Sequence, residues 1–146
     1  MSEEWKEVVA EWVGESAFQG RNPAGRYVQM GSIQGQPGIS PMELMLIGVA
    51  GCTGMDVISI LSKKRQKFDK LLISVRGKRA ETHPRVYTEI EVIYQLWGDQ
   101  VDPKMVEHAI HLSEEKYCSV SAMLSAKATI RSKYIIHQPD ESVLPV

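Results

Sequence analysis

The stretch from Ser40 to Leu61 constrains the fold more than any other. It reads Ser-Pro-Met-Glu-Leu-Met-Leu-Ile-Gly-Val-Ala-Gly-Cys-Thr-Gly-Met-Asp-Val-Ile-Ser-Ile-Leu. Ser40 suits an N-cap, Pro41 suits the first helical position, and Glu43 completes a capping box three residues on. The predicted helix runs to about Gln66, and its basic end, Lys63-Lys64-Arg65 with Lys67, complements the negative end of the helix dipole. Glu43, Asp56 and several Gly and Ser residues interrupt the run. It therefore lacks the roughly 18 uninterrupted apolar residues of a membrane span. A helix apolar on nearly every side is one surrounded by protein. A single curved sheet covers only one side of it. A second copy of the chain is the simplest cover for the other, so the sequence predicts a dimer with the long helices near its centre.

The remaining elements follow from period and punctuation. β-prone residues occupy Lys6 to Gly14, Ala17 to Gln19 and Arg26 to Met30, separated by Gly14-Glu15-Ser16 and by Arg21-Asn22-Pro23-Ala24-Gly25. Gly31 to Ile39 is a glycine-rich loop. Leu71 to Ala80 and Val86 to Trp97 predict a hairpin through Thr82-His83-Pro84-Arg85, with Val86, Thr88, Ile90, Val92, Tyr94 and Leu96 on one face. Asp102 caps a helix that Pro103 opens, striped by Met105, Val106, Ala109, Ile110 and Leu112. Ser119 to Ser125 predicts a turn or two of helix, Ala128 to His137 a last strand, and Gln138 onward a polar tail. This order predicts an α+β fold, read as one domain over 1–146 with its core at 5–137.

Charge and composition exclude several classes. A net charge of −1 gives no overall field for nucleic acid or an anionic membrane. Two cysteines are too few for a stapled secreted scaffold, and the acidic opening Met1-Ser2-Glu3-Glu4 argues against a secretory signal. The expectation is a cytoplasmic protein with reduced thiols. Cys-x-x-Cys and His-x-x-x-His are both missing. His108 and His111, three apart, read as solvated surface residues, so neither a metal nor a cofactor is expected.

The cysteines carry the candidate chemistry. Cys52 sits within the long helix beside Gly51 and Gly54, and Cys118 sits at a helix-to-turn junction. On the residues alone each is either a small core residue or one half of a redox pair. Asp56, one turn after Cys52, is placed to bond a neighbouring element.

Two stretches, Ser40 to Cys52 with Asp56-Val57-Ile58-Ser59-Ile60-Leu61, and Cys118-Ser119-Val120-Ser121, resemble the signatures of the OsmC/Ohr family, the osmotically inducible and organic hydroperoxide resistance proteins. The element order agrees over roughly residues 5–137. The resemblance implies an OsmC-like fold, with antiparallel sheets around a long central helix and an intertwined homodimer. It also implies thiol-dependent reduction of organic hydroperoxides, with Cys52 peroxidatic, Cys118 resolving, and a dithiol reductant resetting the pair. A free cysteine titrates near about 8.5, and burial raises that value, so such chemistry needs a cation. The position resembling the family arginine is Arg21, with Arg26 as the alternative. The family's arginine-holding glutamate falls at Met42 here. Glu43, one residue later and about 100° further round the helix, reads first as the capping partner of Ser40 and second as a substitute for that glutamate. This departure places the chain nearer a less characterised OsmC-like branch. Two functions stay open: a thiol peroxidase, or a non-peroxidase dimer that senses redox state or binds a small ligand.

Overall fold

The computed structural model describes residues 4–145. The start Met1-Ser2-Glu3, part of the argument against a secretory signal, lies outside the described residues. The chain forms two compact units, one ending at Met45 and one beginning at Leu46, with the boundary inside the long helix.

In the first unit, β1 (Val9–Gly14), β2 (Ala17–Arg21) and β3 (Tyr27–Met30) form an antiparallel sheet in that order. Gly31 closes it at φ +78°, and a Cβ there would strike the Ser16 carbonyl, so only glycine fits. Trp12 and Phe18 face each other across β1 and β2, and both stay exposed.

The long helix α1 (Pro41–Lys63) starts as the sequence predicts: Ser40 Oγ accepts from the Glu43 N–H (3.0 Å), and Glu43 Oε1 accepts from the Ser40 N–H (3.1 Å). It ends three residues earlier than expected. The Arg65 N–H donates to Ser62 O and the Gln66 N–H to Leu61 O, with Arg65 at φ 55°. This is a helix stop of the left-handed type, made without the usual glycine. By length and hydropathy alone α1 could cross a bilayer. One stripe of it, Val49, Thr53, Val57 and Leu61, is buried in protein. A second stripe, Ile47, Gly51, Met55 and Ile58, is exposed.

In the second unit, β4 (Lys70–Arg79), β5 (Tyr87–Trp97) and β6 (Thr129–His137) form the second sheet, β5 central. β4 and β5 are the expected antiparallel hairpin, but β5 and β6 run parallel. The expectation of antiparallel sheets is corrected here: this sheet is mixed. The reason is the connection. Between β5 and β6 the chain makes α2 (Pro103–Leu112), a π-helical turn (Ser113–Tyr117) and α3 (Ser119–Leu124), long enough to return it to the starting end of the sheet.

β5 is buried on both faces. Ile90, Val92, Tyr94 and Leu96 fill one, against α1, where a Cβ on Gly54 would lie 3.0 Å from Ile73 Cδ1. Each such aliphatic side chain contributes about 1.5–3 kcal/mol by leaving water. The other face carries Ile93, Gln95 and Trp97, and the stretch read as a polar tail covers it. Trp97 Nε1 donates to Glu141 O (2.7 Å), and the Gln95 amide exchanges two hydrogen bonds with the Leu144 backbone (3.0 and 2.9 Å). That exchange fixes which amide atom is the oxygen. His137, stacked on Trp97, must therefore donate from Nε2 to Gln95 Oε1 (2.8 Å).

Candidate active site: a thiol pair

Cys52 lies at mid-length of α1, half-buried, next to Gly51, which faces open space. Cys118 is buried at the junction of the π-helical turn and α3. Both are free thiols, and Cys52 lies near enough to Cys118 to act on its titration. The fold thus joins the two cysteines across 66 residues of sequence.

Ser113 sets this geometry. Its carbonyl accepts the Cys118 N–H (2.7 Å), the bond that closes the π-helical turn. Its hydroxyl donates to Asp56 Oδ2 (2.9 Å), one helical turn beyond Cys52. One residue thereby ties the Cys118 turn to the Cys52 helix. Gly48 helps: a Cβ there would lie 3.7 Å from Val120 Cγ1, so α3 approaches α1 closely at that point.

The two thiols differ in kind. Burial pushes the Cys118 thiol up, and neighbouring Cys52 pushes the same way. Ser121 opposes both: its N–H donates to Cys118 Sγ at 3.3 Å, and its hydroxyl lies beside the sulfur. Ser121 Oγ is itself buried with no hydrogen bond of good geometry. The balance keeps Cys118 a protonated thiol at neutral pH.

Behind the thiols stands Tyr94, fully buried. Its hydroxyl donates to Glu114 Oε1 (3.1 Å), and Ser132 Oγ donates to Glu114 Oε2 (3.0 Å). Burial pushes the phenol far up, with Thr53, Glu114 and Cys118 as its polar neighbours, so it stays a donor. Sequence reading missed Tyr94 and Ser132, because nothing along the chain marks a strand residue as polar-partnered, and Ser113 and Glu114, because their π-helical turn carries no local signal. Ser121 and Thr53 were within reach, the first inside the second signature and the second beside Cys52.

The other expected residues fall elsewhere. Arg21 ends β2 and pairs with Glu11 Oε1 at 3.3 Å, both side chains substantially exposed. Arg26 is exposed, its N–H donating to Asn22 Oδ1 (3.0 Å). Glu43 makes the reciprocal cap with Ser40, and Met42 is half-buried. His108 and His111 are exposed. Among the described residues no group of three or more His, Cys, Asp or Glu side chains could hold a metal ion.

Comparison with known proteins places the fold. The model of the OsmC-like protein family matches residues 33–133. Protein YhfA of Escherichia coli strain K12 is 35% identical over 123 residues, covering 84% of this chain and 92% of its own. A crystal structure of a protein from Aquifex aeolicus VF5 superposes with TM-score 0.83 at 38% identity, covering 92% of this chain and 98% of that one. The organic hydroperoxide resistance protein OhrB of Bacillus subtilis shares the fold at TM-score 0.61 and 16% identity, covering 92% and 100%.

Proposed function

The chain belongs to the OsmC-like protein family, and from that premise we propose that it reduces organic hydroperoxides with its two thiols, as a homodimer in the cytoplasm. The observation that carries the reading is the proximity of a half-buried Cys52 to a buried Cys118. The roles follow from access and protonation. Cys52, the more accessible sulfur, attacks as thiolate the outer oxygen of the hydroperoxide. The O–O bond breaks, the alkoxide leaves and takes a proton as the alcohol, and Cys52 becomes a sulfenic acid. Cys118 then gives up its proton and attacks the sulfenic sulfur as the thiolate. Its proton joins the departing hydroxide as water, and a Cys52–Cys118 disulfide remains. A dithiol reductant attacks that disulfide, is oxidised to its own disulfide, and restores both thiols.

In this reading Arg21 is the cation for the Cys52 thiolate, with Arg26 the alternative. Glu43 is committed to its helix cap, and Arg21 pairs with Glu11 instead of with a carboxylate at the helix start. Turnover is accordingly slow. The test is hydroperoxide consumption by the purified protein with a dithiol, beside Cys52→Ser and Cys118→Ser. The reading expects loss of activity in Cys52→Ser, and a single turnover in Cys118→Ser. Equal consumption by all three proteins overturns it.

The second reading, a non-peroxidase dimer that binds a small ligand or senses redox state, has a separate support: α1 and α2 border a cleft of about 340 Å³.

A further inference from the structure

That cleft has a chemical polarity of its own. It is lined by Asp56, Ser59, Ile60, Lys63 and Lys64 of α1 with His108 and Leu112 of α2, and Tyr117 closes one side. Asp56, Ser59, Ile60 and Lys63 follow Cys52 at four, seven, eight and eleven residues, the spacing of one helix face. Three groups able to carry positive charge therefore gather at one end, about 16 Å along the helix from Cys52. Lys63, Lys64 and His108 have no side-chain hydrogen bond or ion pair to another described residue. The one lining carboxylate, Asp56, stands at the opposite end and is already engaged by the Ser113 hydroxyl at 2.9 Å. Between the ends lie the apolar Ile60 and Leu112 and the Tyr117 ring.

Lys63 and Lys64, besides complementing the helix dipole, thus meet His108 on a concave, partly apolar wall with no described side-chain carboxylate paired to them. We propose that this cleft binds a small organic anion with an apolar body. Its acid group is held by Lys63, Lys64 and His108, and its body lies on Ile60, Leu112 and Tyr117, pointing toward the thiol pair. Size agrees: small-ligand sites run from about 300 Å³ upward. The sign agrees too, since Lys63 and Lys64 outweigh Asp56 whatever the charge on His108. The proposal does not depend on the hydroperoxide reading, because it concerns binding and not reaction.

Calorimetric titration with decanoate, decanol and acetate tests it, on the intact protein and on a Lys63→Ala/Lys64→Ala double variant. Both lysines are exposed, so their loss spares the core, and an unchanged melting curve verifies that. The expected result is saturable decanoate binding, at least about tenfold tighter than decanol or acetate, and weakened at least about tenfold in the double variant. Protection of Lys63 and Lys64 from amine labelling by decanoate is the second expected readout. Decanoate bound equally well by the variant places it on an exposed apolar surface such as the Met55 and Ile58 stripe, and overturns the proposal. So does the absence of saturable binding. Failure of hydroperoxide turnover with decanoate binding intact sinks the peroxidase reading alone.

Discussion

Chemistry at Cys52 turns on which charges its neighbours bring. Met42 stands where the family glutamate would hold an arginine, and Glu43 is drawn into the cap of its own helix. The substitution Met42→Glu restores a carboxylate at the helix start without disturbing the Ser40–Glu43 pair. If Arg21 is the cation of the site, this variant consumes hydroperoxide faster and its Cys52 alkylates faster at neutral pH, in a background where Cys118 is Ser. Each tenfold gain in rate corresponds to about 1.4 kcal/mol of added stabilisation. Unchanged rates remove Arg21 from the mechanism. Cys118 shows the limit of reading residues one at a time. The sequence marks it as a thiol near a helix start. Its burial, its bond from the Ser121 N–H and its proximity to Cys52 arise only when a π-helical turn and a helix 66 residues away are packed together.

Elements were legible where their signals are local. The capping box at Ser40 and the Asp102-Pro103 start of α2 depend on residues within one turn, and both form as expected, with Asp102 Oδ1 accepting from the Lys104 N–H at 2.9 Å. The stop of α1 at Lys63 was not legible, because a non-glycine residue, Arg65, takes the left-handed position. Nor was the parallel pairing of β5 with β6, since strand direction follows from how a crossover returns and not from the strand's own pattern. The C-terminal stretch was misread for a related reason. Its contribution lies in backbone groups of Glu141 and Leu144 that meet Trp97 and Gln95, invisible to hydropathy. A pH dependence follows. The Glu141 carboxylate is held below its ordinary value, first by the Gln138 N–H and then by His137. A depressed carboxylate contributes stability that is complete above its unfolded value and lost as pH falls through the folded one. The stretch should therefore loosen below about pH 4, ahead of the sheet it covers. Hydrogen exchange at the Leu144 amide measures this. The amide should lose protection between pH 6 and the acid range, and Glu141→Gln should abolish that change. Equal acid sensitivity in the variant contradicts the assignment.

The whole molecule leaves apolar surface bare. Trp12, Phe18 and Tyr27 of the first sheet are exposed, and so are Ile47, Met55 and Ile58 of α1. Exposed apolar faces of this kind mark association surfaces. We expect a homodimer at low micromolar concentration, and a light-scattering mass near 16.4 kDa would show a monomer instead. The central claim concerns the thiols, and one titration reaches it directly. The reduced protein is treated with one equivalent of an organic hydroperoxide per chain, and free thiols are then counted and the chain weighed by mass spectrometry. If Cys52 reacts and Cys118 resolves, both free thiols disappear and the mass falls by two hydrogens. Loss of one thiol with oxygen added at Cys52, and Cys118 still free, contradicts the account.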